Sequence, residues 1–447
     1  MKRRNFLKIS STIGAANFIS SGCSHFKASG NNGFDLHPII KKNPDAVFIH
    51  KTAIKSKGDT AGLQQVGLDL SKELIVDTNG FSKNTKTLIK PNWTNLGFFK
   101  DRNKDFDILG VHTDFNFLDG FMRGLISEGL NKQYIRDCAI PSTWNSLGYL
   151  DFAEKNAYDL KNLSSKPVWE YAEADINFVQ VKNGKIFKNI ALMAPAGDPN
   201  VFLINIAKFK SHGMGITGAV KNIQGLCAHS FHSFCMPYDR IRKSYDKKYM
   251  SSFHENFEKN IETDYQKHVE QGISRWARPG SDGGIWMETW VQRMLDAYSV
   301  IKPDLNIIEG IYGHEGDGLG RGPQGKGKDH LSNFVLFGLD PIRLDIIAHW
   351  LAGHEPGNFG LFHVAIERGL SNVLDPREIP LYQWGNGVVE NIQLDDLKRT
   401  PLLTYYLARD YGRGREPKYH MVDEEFDYLE WKKHHSSFLS NVRNESI

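Results

Sequence analysis

The chain has 447 residues, of which 40% are hydrophobic and 24% charged, and it contains no run of about 18 apolar residues. This composition excludes collagen-like, disordered and multi-pass membrane proteins, and the length allows one large α/β domain with insertions. The net charge is +3, but Lys2, Arg3, Arg4 and Lys8 carry four positive charges at the N-terminus. The remainder is near neutral and therefore offers no global electrostatic reason to bind nucleic acid.

The first residues resemble an export signal. Residues Arg3–Lys8 read Arg-Arg-Asn-Phe-Leu-Lys and precede a moderately apolar stretch, a pattern typical of twin-arginine signals, although an amphipathic first helix is the alternative. Cys23 follows a glycine, as at a lipoprotein cleavage site. We therefore expect a signal over residues 1–22, lipidation of Cys23, and a flexible tether over residues 23–44. This predicts an exported protein, either periplasmic or held on a membrane only through that lipid.

Apolar runs rich in β-branched residues then alternate with helical periodicity over residues 45–379, which we interpret as the catalytic domain. The periodicity predicts strands at Ala46–His50, Thr87–Lys90, Tyr134–Ile140, Val201–Ile206, Leu305–Glu309 and Phe334–Gly338. It predicts helices at Leu118–Leu130, after Asp151, and at Pro341–Leu351. This alternation predicts an α/β fold with a doubly wound, mostly parallel sheet, in which chemistry lies beyond the carboxyl ends of the strands.

Two segments depart from this alternation. Residues 240–290 are rich in charged and aromatic residues and poor in aliphatic ones, which predicts a helical insertion. Residues 380–447 have no long apolar run, which predicts a C-terminal extension packed on the main domain.

The cysteines limit the cofactors that the chain can hold. Without Cys23, three cysteines remain and none forms a Cys-x-x-Cys pair, which excludes a four-cysteine iron–sulfur cluster. Cys227, His229, His232 and Cys235 lie within nine residues. They suit a transition metal, a disulfide between the two cysteines, or a pair of buried thiols, and the sequence leaves these alternatives open.

Three polar segments follow predicted strands. The first contains Lys90, Asn92 and Trp93. Lys90 offers a cation and Asn92 an amide, which suits both to an anion, whereas the alternative is a surface lysine beside a turn-capping asparagine.

The second segment follows Ile206 and is expected to be a loop leading into a helix. Its candidate residues are Lys208, Lys210, His212, Thr217, Lys221 and Asn222. Crowded basic groups lower one another's pKa, so a neutral lysine or histidine base becomes accessible near neutral pH. The glycines between them allow the backbone to approach a ligand closely.

The third segment, residues 309–323, is expected to be a glycine-rich loop carrying Tyr312, His314, Glu315, Asp317 and Arg321. Glu315 and Asp317, joined by Asp345, fit a divalent metal ion or sugar hydroxyl groups. The alternative is an ordered turn held by ion pairs.

These segments, in this order, resemble the family of domain of unknown function 362 over about residues 45–370. Some members carry iron–sulfur domains, whose cysteines this chain lacks. The second segment is also remotely similar to lactate racemases, whose lysine and histidine residues hold a nickel-bearing nucleotide and act on a 2-hydroxy acid. The exported, aromatic-rich layout weakly resembles proteins of algal polysaccharide breakdown, including an oligosaccharide dehydratase acting on ulvan fragments.

The leading hypothesis is therefore an exported lyase that removes water from a uronic-acid residue of an acidic oligosaccharide. Such a reaction requires a base for the proton α to the carboxylate, groups that neutralise the carboxylate, and an acid for the departing hydroxyl. We expect His212 or Lys210 to be the base and His314 or Tyr312 the acid. The carboxylate and the rest of the substrate are expected to contact Lys90, Asn92, Trp93, Lys208, Thr217, Lys221, Asn222 and Arg321.

Two other classes of function remain open. One is a racemase or oxidoreductase of hydroxy acids that depends on a metal or a nickel nucleotide. The other is a surface protein that binds acidic glycans without turnover. The sequence leaves the oligomeric state and the identity of any metal undetermined.

Overall fold

The structure is a computed structural model, which describes residues 34–77, 85–93, 110–138, 144, 148–161, 172–212, 215–228, 251–273, 284–315, 328–385, 388–402 and 425–435. The expected export signal over residues 1–22 lies outside the described residues. So do several predicted site residues, namely Cys23, His229, His232, Cys235, Asp317 and Arg321.

Fourteen strands belong to this part of the chain. They are β1 (Phe34–Leu36), β2 (Val47–Lys51), β3 (Ile75–Asp77), β4 (Lys86–Pro91), β5 (Lys132–Arg136), β6 (Asp159–Lys161), β7 (Ile176–Gln180), β8 (Asn189–Met193), β9 (Val201–His212), β10 (Gly215–Ile216), β11 (Leu305–His314), β12 (Asp329–Gly338), β13 (Leu381–Gly385) and β14 (Val388–Ile392). Ten of them form one sheet in the order β14-β13-β2-β12-β11-β9-β4-β5-β6, with β10 paired to β9. Two small antiparallel pairs, β1 with β3 and β7 with β8, complete the strands of the described residues.

The α-helices of the described residues that flank these strands are α1 (Pro38–Lys42), α2 (Thr60–Leu74), α3 (Phe115–Ser127), α4 (Tyr149–Lys155), α5 (Ala219–Ile223), α6 (Phe257–Glu270), α7 (Gly284–Val300), α8 (Pro341–Leu351) and α9 (Gly360–Glu367). Short 3₁₀ turns lie at Glu173–Asp175, Gln224–Leu226, Pro356–Asn358, Pro376–Glu378 and Leu394–Asp396. No helix of the described residues is long and apolar enough to cross a membrane.

Helices cover both faces of the sheet because its strands bury side chains alternately on either side. In β2, Val47 and Ile49 belong to the apolar cluster that contains α7 and α8 residues. Phe48, between them, belongs to the cluster with α2 and α3 residues. The predicted class, a mostly parallel α/β sheet with helices on both faces, is therefore confirmed.

The segment before the sheet differs from the expected tether. Residues 23–44 were expected to be flexible, but Phe34–Leu36 form β1 and Pro38–Lys42 form α1. The physical reason is that Ile40 is fully buried in the core cluster. The side chain of His37 also accepts a hydrogen bond from the backbone N–H of Ile39 and so caps α1.

The two segments that depart from the alternation, residues 240–290 and 380–447, both contribute elements that pack with the main domain. In the C-terminal segment, β13 pairs with β2 in parallel, and β14 forms the sheet edge. The other segment leads into α7, in which Trp286 and Trp290 are buried in the core. Both segments therefore contribute to the packing of the main domain.

Candidate active site

Three neighbouring strands, β11, β9 and β4, run parallel and end at the same edge of the sheet. The three predicted polar segments follow or include these ends, so the fold brings them together. In register, Glu309 lies beside Lys208, and His314 lies beside Lys210. The prediction that the chemistry-bearing residues gather at the carboxyl edge of the sheet agrees with this placement.

The sequence predicted a loop for Lys208, Lys210 and His212. The structure instead places them on β9, which continues to His212. Likewise Tyr312 and His314 lie on β11. The strands extend because every residue of both is buried and because the charged side chains find partners inside the protein. Rigid strands therefore carry these residues.

Lys208 forms a buried ion pair with Glu309. Its Nζ lies 2.5 Å from Glu309 Oε2, and the two side chains are 0% and 1% exposed. Glu309 also accepts backbone N–H bonds from Asp114 and Ile311, at 3.3 and 3.0 Å. Burial raises the pKa of Glu309, while Lys208 opposes that rise. Because its charge is matched within the protein, Lys208 supports the site rather than offering a free cation to a substrate.

Lys90 is also an internal support. Its Nζ lies 2.9 Å from Asp137 Oδ1 and donates to Asn222 Oδ1 at 3.1 Å and to the carbonyl of Pro91. An ammonium group has three donors, so these partners use all of them. Burial lowers the pKa of Lys90, and the carboxylate of Asp137 opposes this. Lys90 therefore fixes Asn222 instead of holding a substrate carboxylate.

A chain of asparagines crosses from the end of β4 over the middle of β9 to the start of β11. Asn92 Nδ2 donates to Asn222 Oδ1 at 2.9 Å, and Asn222 Nδ2 donates to Asn205 Oδ1 at 2.8 Å. Asn205 Nδ2 in turn donates to Asn306 Oδ1 at 2.9 Å. The Oδ1 atom of Asn92 is buried and has no hydrogen-bond partner among the described residues. Asn92 thus presents an acceptor at the end of a fixed amide chain, which suits a hydroxyl group.

Residues 110–114, which we call the crossing segment, lie over the same strand ends. Lys210 Nζ donates to the carbonyl of Val111 at 2.8 Å. Thr113 Oγ1 donates to the carbonyl of Ile206 at 2.9 Å and accepts from the backbone N–H of Asn92 at 2.8 Å. The crossing segment is therefore bonded to β9 and to the residue that follows β4.

The same segment packs tightly against β11 and β12. A Cβ atom added to Gly110 would lie 2.3 Å from Asp329 Oδ1 and 2.8 Å from the carbonyl oxygen of Gly313. Only glycine fits there, because a contact this short does not occur for a real Cβ atom. The crossing segment ends where Asp114 caps α3, accepting the N–H groups of Asn116 and Phe117.

His112, on the crossing segment, is a buried histidine that the sequence analysis missed. Its Nδ1 is hydrogen-bonded to the hydroxyl of Tyr149, and its Nε2 has no partner among the described residues. Burial, with the charges of Lys210 and Lys208, lowers the pKa of His112 well below its ordinary value. The imidazole is therefore neutral at physiological pH.

His314 forms a pair with Asp329, another residue that the sequence analysis missed. Its Nδ1 lies 2.5 Å from Asp329 Oδ1, and its Nε2 is buried without a partner among the described residues. Lys57 Nζ lies 2.8 Å from the other carboxylate oxygen of Asp329. Burial favours the neutral acid, but the hydrogen bonds and charges of His314 and Lys57 outweigh it and lower the pKa of Asp329 to about 2. An ionised carboxylate on Nδ1 orients the ring and makes Nε2 a proton acceptor.

His212 and Lys221 both lie near the Trp290 indole, which belongs to α7. The ring centroids of His212 and Trp290 are 5.0 Å apart, and Lys221 Nζ lies 5.7 Å from the Trp290 centroid. Lys221 and Asn222 are on α5, as predicted. The helical part of the chain beyond residue 250 thus reaches the site through Trp290.

Asp345, predicted as a metal ligand, holds α5 instead. Its carboxylate accepts the backbone N–H groups of Ala219 and Val220 at 2.5 and 3.0 Å. A Cβ atom on Gly218 would lie 2.0 Å from Asp345 Oδ1, so this contact requires glycine. Burial raises the pKa of Asp345 to about 7, although the two N–H bonds oppose it. Thr217, just before α5, is fully buried, and its hydroxyl has no hydrogen-bond partner among the described residues.

The other predicted residues lie at the margins of the site. Glu315 Oε2 pairs with His330 Nε2 at 3.0 Å. The ring of Tyr312 faces Lys57, whose Nζ is 5.9 Å from its centroid, and Trp93 stacks on Tyr149 with centroids 4.1 Å apart. Within the described ranges no group of three or more His, Cys, Asp or Glu residues is placed to hold a metal ion.

Of the cysteine and histidine cluster, only Cys227 is among the residues described here. It is a buried free thiol, and burial raises its pKa to about 12. A buried neutral thiol is a poor nucleophile and a poor metal ligand.

Comparison with known proteins identifies one relationship. Searches of curated proteins and of solved structures find no match. The family model described as domain of unknown function (DUF362) matches residues 87–349, more than half of the chain and all three strand ends of the site. The chain therefore belongs to the DUF362 family.

Proposed function

We propose that this protein is an exported hydro-lyase that eliminates water from a uronic-acid residue of an acidic oligosaccharide. The observation that carries the proposal is the buried His314–Asp329 pair, whose Nε2 has no partner among the described residues and which lies beside Lys210. A histidine held by a carboxylate is suited to general-base catalysis.

The reaction balances with His314 as a single base. Its Nε2 takes the proton α to the carboxylate, and the electron pair of that C–H bond moves onto the carboxylate as an enediolate. The electron pair then forms the Cα=Cβ bond while the Cβ–O bond breaks. The departing hydroxide takes the proton back from His314 and leaves as water.

This assignment alters the expected roles. His314 was expected to be the acid and His212 or Lys210 the base. Lys210 is the register neighbour of His314, which favours a role as a cation beside the substrate carboxylate. His212 packs edge-on against Trp290, which favours a role in lining the site.

The test is to incubate the purified protein with uronate-containing oligosaccharides, with and without chelator. Elimination produces an unsaturated uronate, detected by its ultraviolet absorbance and by a product mass lower by one water. We expect turnover in the wild type and its loss in His314→Gln. The matched control is His434→Gln, because His434 forms a similar pair with Glu430 on the surface, with Nε2 2.9 Å from Oε1.

The rival functions give different results. A racemase would incorporate deuterium from the solvent at the α-carbon without loss of water. A glycan-binding protein would bind the oligosaccharide without any turnover. Either result, or full activity in His314→Gln, would contradict the proposal. Loss of turnover with chelator would assign a divalent metal ion to the reaction.

A further inference from the structure

His112, like His314 and His349, is a buried histidine whose Nε2 is unpartnered among the described residues. It is 2% exposed and lies on the crossing segment, which Thr113 and the carbonyl of Val111 bond to β9. Lys210 links it to the proposed base, because Lys210 donates to the carbonyl preceding His112 and is the register neighbour of His314. A buried polar atom without a partner destabilises the folded chain, and a ligand bound at this site would offset that cost.

The surroundings of His112 determine its protonation state. Burial and the charges of Lys210 and Lys208 disfavour the imidazolium form. A neutral imidazole has one N–H donor and one acceptor nitrogen. If the hydroxyl of Tyr149 donates to Nδ1, the proton of His112 is on Nε2, the atom without a partner in the described part of the chain.

We propose that His112 is a further catalytic residue, whose Nε2–H donates a hydrogen bond to the substrate carboxylate as the enediolate forms. The inference deepens the proposed function and rests on it for the identity of the substrate. A neutral donor suits this position because it stabilises developing negative charge without first protonating the substrate. Tyr149 is then a positioning residue that sets the tautomer.

Two variants separate a hydrogen-bond donor from a proton donor. His112→Gln keeps an amide N–H near the Nε2 position, whereas His112→Leu keeps none. We expect kcat to fall by about 10²–10³-fold in His112→Leu, the usual cost of losing one such donor, and by only about tenfold in His112→Gln, with KM little changed. Equal losses in both variants would indicate proton transfer by His112 and overturn the proposal, as would full activity in both. Circular dichroism checks that each variant is folded.

Nuclear magnetic resonance of the wild-type chain tests the same inference and does not depend on the folding of a His112 variant. In the wild-type chain labelled with ¹⁵N-histidine, we expect His112 to be neutral at neutral pH, with its proton on Nε2. Tyr149→Phe should move that proton toward Nδ1. An imidazolium signal at neutral pH or an Nδ1–H tautomer in the wild type would overturn the proposal.

Adding glucuronate, a simple uronate, distinguishes this inference from the proposed function. We expect the His112 Nε2 resonance to move when glucuronate is added, whether or not water is eliminated. If it moves but no uronate is turned over, the elimination reaction is wrong and His112 remains a carboxylate donor. If it does not move, the His112 proposal fails, whatever the activity.

Discussion

Two buried histidine–carboxylate groups of this protein differ in one respect. Between α6, α7 and α9, His268 Nδ1 lies 3.0 Å from Glu288 and its Nε2 lies 2.7 Å from Glu367, so both ring nitrogens are used within the protein. At the sheet edge, His314 uses Nδ1 for Asp329, while its Nε2 has no partner among the described residues.

The difference separates a structural network from a candidate catalytic one. A buried polar network with every group satisfied joins elements and makes the fold specific. A network with one unsatisfied atom costs free energy in the folded protein, which a bound ligand can recover. We therefore expect substitutions in the His268 group to affect stability, and substitutions in the His314 group to affect turnover.

The largest expected effect is on turnover. Asp329→Asn removes the charge that orients His314 and that would stabilise the imidazolium formed on proton transfer, so kcat should fall by about 10²–10⁴-fold. The measurement is the initial rate of uronate elimination at saturating substrate.

The control for this prediction is Glu430→Gln, which neutralises the carboxylate of the exposed pair with His434. It should leave kcat unchanged. A wild-type rate in Asp329→Asn would mean that the His314 group, like the His268 group, is a structural network and not a catalytic one.

The next effect is on stability, at the ion pair beneath the site. Lys208→Met leaves the carboxylate of Glu309 buried without its cation, which should cost about 3–5 kcal/mol of unfolding free energy. Urea denaturation measures this loss. The double variant Lys208→Met/Glu309→Gln should recover part of it, because the amide carries no buried charge and its oxygen still accepts one of the two backbone N–H bonds, which reach different oxygens of Glu309. No recovery would mean that the lysine stabilises the site by packing alone.

The sequence predicts those features of the fold and the site that depend on residues close together in the chain. The fold class followed from apolar runs that alternate with helical periodicity, and α8 has its predicted ends, Pro341 and Leu351; in the structure Asp340 caps its first turn. The gathering of the three polar segments followed from the rule that parallel strands end at one edge.

The partners that define the site are distant in sequence and left no local pattern. Asp329 is separated from His314 by a glycine-rich stretch, and Asp137 meets Lys90 from a neighbouring strand end. Because their partners were unknown, Lys90 and Lys208 were expected to contact substrate. Asn205, a polar residue inside an otherwise apolar strand, was the available signal for the asparagine chain.

A smaller loss of stability is expected in the satisfied network. His268→Leu leaves Glu288 with Gln292, which donates to its other oxygen at 2.9 Å, but without the imidazole. We expect a loss of about 3 kcal/mol in unfolding free energy, with kcat per folded molecule unchanged. Thermal unfolding and the rate at a temperature where the variant stays folded measure the two quantities. A selective loss of kcat would show that the two histidine groups are coupled.

The smallest effect is the response of stability to acid, and it should be alike in the two regions. Folding lowers the pKa of Asp329 from 3.8 to about 2, and that of Glu367 from 4.5 to about 2, where the hydrogen bond from His268 is the main cause. A lowered pKa stabilises the folded chain at pH values above the ordinary pKa, and this contribution is lost as the pH falls through about 4 to about 2. For Asp329 the contribution is roughly 2 kcal/mol.

Acid denaturation therefore tests the property that the two histidine groups share, a carboxyl group whose pKa is lowered in the folded chain. Asp329→Asn and Glu367→Gln should each reduce the loss of stability over this pH range, measured as the unfolding free energy in urea at each pH. If the pH dependence is unchanged in one of these variants, folding does not lower the pKa of the carboxyl group that the variant replaces. Since both carboxylates should respond alike, acid stability cannot distinguish the two groups. What distinguishes them is the Nε2 of His314, which has no partner among the described residues, and this is why Glu367→Gln should retain turnover and Asp329→Asn should lose it.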